Sequence, residues 1–240
     1  MTILLPMDIH SHSEYSPDGD FRVSKMCESA VDKGLAVYAI TDHYDINGAL
    51  EDFSILDVYL NLSVTDTLSA KAQWKEKLLL LTGIELGQPL ENQGKAEEVL
   101  QAHPFDLVLC SIHNTPGSPD FYYYKPGEDD SYWEKQLEDY FVEILAMISW
   151  GRFDAAAHLT YPFRYILQRR QVYPFHKWDN HLETVIKALA EKGLALEINT
   201  SGIDRNPPCF LPEARWVKRF RELGGEKLTL GADAHSATVC

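Results

Sequence analysis

Seven short apolar runs, each followed by a stretch with helical periodicity, constrain this chain more than any other feature. They are ILLPMDIH (3–10), AVYAITDH (36–43), LLLLTGIEL (78–86), FDLVLCSIH (105–113), FDAAAHL (153–159), LALEINTSG (194–202) and KLTLGADAH (227–235). Each is about as long as a buried strand. Strands alternating with helices imply parallel pairing through helical crossovers. Seven such units point to an α/β barrel. An open doubly wound sheet is the main alternative, although the GxGxxG fingerprint that would favour a dinucleotide-binding sheet is missing.

The intervening segments read as amphipathic helices. Val23, Met26, Cys27, Ala30 and Val31 recur at helical spacing, and Gly34 stands where the helix would stop. Trp133, Leu137, Tyr140, Phe141, Ile144, Leu145 and Ile148 repeat the pattern, with Ser131 and Glu134 spaced as a capping box and Gly151 as terminator. Leu182, Val185, Ile186 and Leu189 fall between Asp179 and Gly193, while Trp216, Val217, Phe220 and Leu223 follow Pro212, a good first-turn residue. Weaker helical patterns cover 67–80 and 93–102.

Every run ends in groups that a strand does not need. The first ends in His10-x-His12, with Asp18 shortly after; the second in Asp42-His43; the third in Gly83-Ile84-Glu85. The fourth and fifth end in His113 and His158, the sixth in Asn199-Thr200-Ser201, the seventh in Asp233-x-His235. Residues i and i+2 of a strand face the same way, so His10 and His12 would crowd one spot. In a parallel barrel all strand C-termini share one face, the face that carries active sites. Six histidines and three carboxylates then converge. A single strand-end histidine can be a satisfied core group, but six buried unpaired imidazoles would be costly. Nitrogen and oxygen donors without thiolate suit zinc, manganese or iron. Nine donors exceed one tetrahedral site and, with a bridging carboxylate, fit two or three ions. His103, His176 and His181 lie at helix ends and read as structural or solvated.

Composition narrows the field. With 45% hydrophobic and 24% charged residues, the 240-residue chain has the make-up of an ordinary soluble globular protein. A net charge of −14 disfavours nucleic acid and anionic membrane as partners, yet an anionic small molecule remains compatible because bound metal reverses the local charge. Cys27, Cys110, Cys209 and Cys240 are scattered, without a CxxC pair, which fits a reducing, cytoplasmic setting. The start MTILLPMDIH lacks the basic region of a signal peptide, and no apolar run approaches membrane-spanning length. Oligomeric state is not legible.

DIHSH, SPDGD, ITDH, GIE, SIH, AAH and GADAH, in this order, resemble the PHP (polymerase and histidinol phosphatase) superfamily. The likeness spans nearly the whole chain. NTSG after the sixth run and HNTPGSPDFYYY after the fourth resemble its histidinol-phosphate phosphatase branch. The resemblance implies a distorted (β/α)7 TIM-like barrel of the PHP type, one domain over 1–240, with two or three divalent ions (Zn, Mn or Fe) in a trinuclear centre. By motif, one ion would be held by His10, His12, Glu85 and Asp233, a second by Asp18, His43 and His235, and a third would share Glu85 and add His113 and His158. Asp8 and Asp42 occupy positions where a carboxylate could orient a ligating imidazole. The chain ends five residues after His235, so either the helix that would normally cover the last strand is missing or that strand is poorly protected.

The activity so implied is hydrolysis of L-histidinol phosphate to L-histidinol and phosphate, in histidine biosynthesis. Attack would come from a metal-bridging hydroxide, with Glu85, Asp18 and His235 as catalytic residues. Arg164, Arg205, Asn199 and Ser201 are the expected substrate contacts, arginine being the usual fork for phosphate oxygens. Ile203 and Asp204 stand between NTSG and Arg205, a spacing about one residue longer than the branch pattern. The loop 114–130 carries three tyrosines and four acids that could receive an imidazole and an ammonium group. The alternative is the same chemistry on another phosphomonoester, such as a nucleotide, a sugar phosphate or phosphotyrosine. A proofreading nuclease would need a basic track for single strands. A relic, non-enzymatic module would have lost ligands, and here every position has a candidate.

Overall fold

The computed structural model describes residues 5–47, 53–123, 130–169, 173–204 and 208–238. The chain forms two compact units, one comprising Met1–Leu109 with Leu230–Cys240, the other Cys110–Thr229.

The first unit holds β1 (Met7–Asp8), α1 (Val23–Asp32), β2 (Val37–Ile40), β3 (His43–Asp45), α2 (Phe53–Trp74), β4 (Leu79–Gly87), α3 (Gln93–Ala102) and the first part of β5 (Leu107–Ser111). Its strands follow the order β1-β2-β4-β5 and pair in parallel where their register is defined. The returning C-terminal segment lies beside β1, with Ile9 N–H donating to Leu230 O (2.9 Å) and His12 N–H to Ala234 O (2.8 Å). Met26, Cys27 and Ala30 of α1 pack without exposure against Tyr38 and Ile40 of β2, with Leu80 and Ala234 in the same cluster. Gly34 ends α1 at φ 77°, a left-handed position that suits glycine.

The second expected strand divides in two. β4 is long enough to pair with β2 over Leu79–Thr82 and with β3 over Glu85–Gly87. The break at Thr41 and Asp42 frees both side chains to bond the segment after β1. Gly83 sits opposite that break: a Cβ there would fall 2.7 Å from Thr41 Cγ2 and 3.1 Å from Leu107 O, so the glycine of GIE permits close strand packing.

α3 matches its expected span, but α2 runs far ahead of the weak 67–80 pattern and stops before its end. Its buried residues Leu56, Leu60, Val64 and Ala70 share the helix with exposed Ile55, Val58, Tyr59 and Leu62. Apolar side chains on both sides blur the periodicity by which an amphipathic helix is recognised.

The second unit contains the end of β5, α4 (Asp130–Trp150), β6 (Ala155–Ala156), α5 (Tyr161–Arg169), α6 (Asp179–Lys192), β7 (Ala195–Asn199), α7 (Ala214–Glu222) and the start of β8 (Leu228–Gly231). Strand neighbours run β5-β6-β7-β8, tied by Ala157 N–H to Cys110 O (3.0 Å) and Leu196 N–H to Lys227 O (3.2 Å). Two details of the helix starts differ from expectation. α4 begins at Asp130, placing Ser131 inside the first turn rather than at a cap. α7 starts at Ala214 after N-cap Glu213, so Pro212 precedes the helix. Arg215 and Arg219 of α7 fasten α6 through Asp179 and Glu183.

Candidate metal centre

In the first unit the chain leaves β1 still extended, so His10 and His12 project to one side, their ring centroids 5.1 Å apart. Both are fully buried. Glu85, on β4 and also fully buried, turns Oε2 toward three imidazoles: it lies 3.1 Å from His10 Nε2, 3.4 Å from His12 Nε2 and 3.0 Å from His43 Nδ1. Asp233 Oδ1 closes the group at 3.6 Å from His10 Nε2 and 3.3 Å from His12 Nε2. The donor atoms of His10, His12, Glu85 and Asp233 fall within 4.8 Å of one another. So do those of His12, His43 and His235. His12 lies stacked between His43 and His235, 4.1 Å from each. Asp18 stands at the rim, 3.2 Å from His235 Nε2 and 3.8 Å from His43 Nε2.

The donor set decides what this cluster accepts. A proton satisfies one lone pair at a time, whereas a divalent cation accepts several imidazole nitrogens and carboxylate oxygens at once. Two carboxylates packed in a buried nest of imidazoles thus fit a metal centre. Backbone strain points the same way: Asp233 sits at φ 54°, where a non-glycine residue needs support from its surroundings.

Charge states follow from the packing. Burial, and then the neighbouring His43 and His235, hold the His12 imidazole well below its ordinary value, so it stays neutral and able to donate a lone pair. Burial pushes Asp18 up, but the His235 hydrogen bond and the nearby His43 overcome it and bring its carboxyl below the usual range. His235 is lowered by burial, yet raised on balance by Asp18 and Asp233.

Asp8 and Asp42 support these ligands in different ways. Asp8 accepts from the backbone N–H groups of His10 (3.3 Å) and Ala232 (2.9 Å), so it fixes main chain beside a ligating imidazole. Asp42 gathers Ser13, Ser16 and Ser63, and reaches an imidazole through Ser16.

In the second unit His113 and His158 bring their Nε2 atoms to 3.4 Å. His158 is also strained, at φ 24°, and its N–H donates to buried Glu197 Oε2 at 2.5 Å. One turn into α5, Arg164 lies over the rings of both Tyr161 and Tyr165, 4.9 Å from each centroid. Its guanidinium donates to Ser201 Oγ (2.6 Å) and to Tyr165 Oη (2.8 Å). Ser201 in turn donates to Asn199 Oδ1 (2.7 Å), and Asn199, fully buried, donates to Glu197 (3.1 Å). Burial holds the Tyr161 hydroxyl in its protonated form, donating to Asp120 Oδ1 (3.1 Å). Tyr122 and Tyr123 stand exposed on the segment after β5.

The first unit therefore joins His10, His12, Asp18, His43, Glu85, Asp233 and His235. The second pairs His113 with His158 and links Arg164, Ser201 and Asn199. Arg205 and loop residues 124–129 lie outside the described residues. Sequence reading missed Ser16, Ser63, Glu197, Tyr161 and Tyr165. Glu197 carried a signal, an acid inside an apolar run; Ser63, on a helix of blurred periodicity, carried none.

The PHP domain family model matches residues 8–201, most of the chain. The chain belongs to the PHP domain family. It is 29% identical over 238 residues to a histidinol-phosphatase of Lactococcus lactis, a match covering 96% of this chain and 84% of that one. A protein of Clostridium acetobutylicum named probable histidinol-phosphatase is 26% identical over 231 residues, covering 95% and 86%. Among solved structures, histidinol phosphate phosphatase of Lactococcus lactis, complexed with zinc, L-histidinol and phosphate, superposes with a TM-score of 0.80 at 25% identity, covering 97% of this chain and 87% of that chain. This likeness bears out the expected fold class, the distorted (β/α)7 type of the PHP family. No helix among the described residues is long and apolar enough to cross a membrane.

Proposed function

We propose that this protein is a cytoplasmic, metal-dependent phosphomonoesterase that hydrolyses L-histidinol phosphate to L-histidinol and phosphate. The observation that carries the reading is the meeting of His10, His12, Glu85 and Asp233 donor atoms within 4.8 Å, in a chain whose relatives are histidinol-phosphatases. These four residues hold one divalent ion, of zinc, manganese or iron. Asp18, His43 and His235 hold a second, and His113 with His158 supplies two further nitrogen ligands.

Bound divalent metal supplies Lewis acidity toward phosphoryl oxygens and lowers the pKa of water to near neutrality. The chain's own residues do the rest. Glu85 places one buried carboxylate oxygen against three imidazoles and so sets their spacing. Asp18 and His235, 3.2 Å apart at the open rim, serve the reaction by holding the second ion. Arg164, stacked on two tyrosine rings and steadied by Ser201, offers its guanidinium to a phosphate oxygen. Asn199 acts through Ser201, by fixing the hydroxyl that holds Arg164. Arg205 is a further candidate phosphate contact. Asp120, Tyr122 and Tyr123 offer a carboxylate and two aromatic faces, chemistry suited to an ammonium group and an imidazole.

The test is phosphate release from L-histidinol phosphate by zinc-, manganese- or iron-loaded protein, beside a panel of nucleotides, sugar phosphates and phosphotyrosine, with a chelated control. Strong preference for histidinol phosphate, lost on chelation, is the expected result. Metal-dependent release without that preference would move the protein to another ester; release unaffected by chelation would remove the metal mechanism.

A further inference from the structure

Ser16 is a residue to which the family resemblance assigned nothing, yet its hydroxyl stands where three groups meet. Its Oγ lies 2.9 Å from Asp42 Oδ1, 3.0 Å from the His43 backbone nitrogen and 3.0 Å from His12 Nδ1. The residue is buried. A serine hydroxyl has one proton to give and two lone pairs to receive with. The carboxylate of Asp42 can only accept, so the hydroxyl proton goes there. The backbone N–H of His43 can only donate, so it uses one lone pair. The remaining lone pair requires a donor, and among the described residues the group facing it is His12 Nδ1. If Ser16 instead gave its proton to His12, its oxygen would face Asp42 Oδ1 at 2.9 Å with no hydrogen between them.

Asp42 is built to hold the hydroxyl that way round. It also accepts from Ser13 N–H (2.6 Å), Ser13 Oγ (2.7 Å) and Ser63 Oγ (2.5 Å), donors from two other segments that lock the carboxylate in place. At the far end of the relay, His12 Nε2 is buried and makes no aligned hydrogen bond, although Glu85 Oε2 lies 3.4 Å away and Asp233 Oδ1 3.3 Å. A proton on Nδ1 leaves the Nε2 lone pair pointing into the carboxylate pair.

We infer that Ser16 is a positioning residue that, anchored by Asp42, fixes His12 as its Nδ1–H tautomer and aims the Nε2 lone pair at the metal site. The same hydroxyl, by taking the His43 N–H, ties the start of β3 to this relay, so one side chain sets two imidazoles. The inference rests on the proposed reading that His12 is a metal ligand. Groups that orient a ligating imidazole typically contribute 10–100-fold to metal affinity.

Three serine variants test it, because all three remove a hydroxyl from Asp42 but only one touches an imidazole. In metal-free wild-type protein, long-range 1H–15N NMR should show His12 protonated on Nδ1. Ser16→Ala should convert this to a mixture of tautomers. Titrated with zinc alone against a chromophoric chelator, Ser16→Ala should bind about 10–100-fold more weakly. Ser13→Ala and Ser63→Ala should lose thermal stability yet keep the tautomer and bind zinc within about twofold of wild type, a margin well inside the effect of an orienting group. Equal loss of affinity in all three variants would mean that Asp42 acts only through general packing, and would overturn the relay. So would a wild-type His12 protonated on Nε2, an observation that does not require Ser16→Ala to fold. His12→Ala binding zinc like wild type would instead overturn the ligand reading while leaving the tautomer result intact, so the two failures are told apart.

Discussion

The two units gather opposite chemistry from similar secondary structure. In the first, strand ends deliver carboxylates and imidazoles into a nest whose lone pairs converge. In the second, a helix delivers a guanidinium, packed over Tyr161 and Tyr165 and steadied by Ser201. The donors of the first suit a cation; in the proposed function the guanidinium of the second meets an anion. The contrast shows how backbone geometry selects the task. Extended chain sets short donors side by side at fixed spacing, as in His10 and His12. A helix carries a long cationic side chain that rings and hydroxyls must immobilise before it can grip anything.

The largest effect should come from breaking the cation side. Glu85→Gln removes the oxygen shared by three imidazoles, so it should empty the site of metal and lower kcat/KM at least about a thousandfold, about 4 kcal/mol of transition-state stabilisation. Metal analysis and turnover should fall together; retained turnover would refute the shared-carboxylate geometry.

Arg164→Ala attacks the anion side and should separate from the first result. Metal content should stay at the wild-type level while kcat/KM falls about a hundredfold. Arg164→Lys should recover little of it, since lysine lacks the planar fork and stacks less well on tyrosine. A wild-type kcat/KM would pass the phosphate to Arg205 or another group.

Acid should act on the first unit without mutation. In metal-free protein, unfolding exposes His12 to an ordinary pKa near 6.5, while the folded state holds it well below. Below pH 6.5 the unfolded chain therefore binds more protons at this site, and stability falls as pH falls, by up to about 1.4 kcal/mol per pH unit. His235 has the opposite sign: its raised folded value stabilises below the unfolded pKa, and that gain is lost as pH rises through the folded one. The joint contribution of these two groups to the metal-free protein is therefore largest near pH 6.5. Urea midpoints in chelator across pH 5–8 check the curve, and His12→Gln should flatten its acid limb.

The smallest effect belongs to the polar chain behind Arg164. Tyr161→Phe removes the hydroxyl between Tyr165 and Asp120 and should cost about 1 kcal/mol of stability. It should raise KM a few-fold and leave metal binding alone. A loss of metal affinity in this variant would break the division of labour drawn here.

Much of the site was legible because its donors sit at strand ends. Alternation across a strand and the shared polarity of parallel strands are local rules, so His10, His12, Glu85 and Asp233 could be placed on one face from their positions, while their grouping round one ion came from the family resemblance. The helices that bury one clear stripe, such as Val23–Asp32 and Asp179–Lys192, were legible for the same reason. Phe53–Trp74 was not, because its exposed face also carries apolar residues. Nor was β3, which forms only because β4 extends beyond the end of β2 and offers three more residues of pairing.

By itself, then, the sequence determined the alternation of strand and helix, the strand-end donors and their metal chemistry, because these depend on periodicity and residue type. Only the tertiary structure decided which serines meet Asp42, that Asp8 ties β1 to Ala232, that Glu197 steadies His158, and that Ser201 steadies Arg164. Those partners lie tens of residues apart in the chain, and a hydrogen bond depends on where the fold puts two atoms, which no local pattern records.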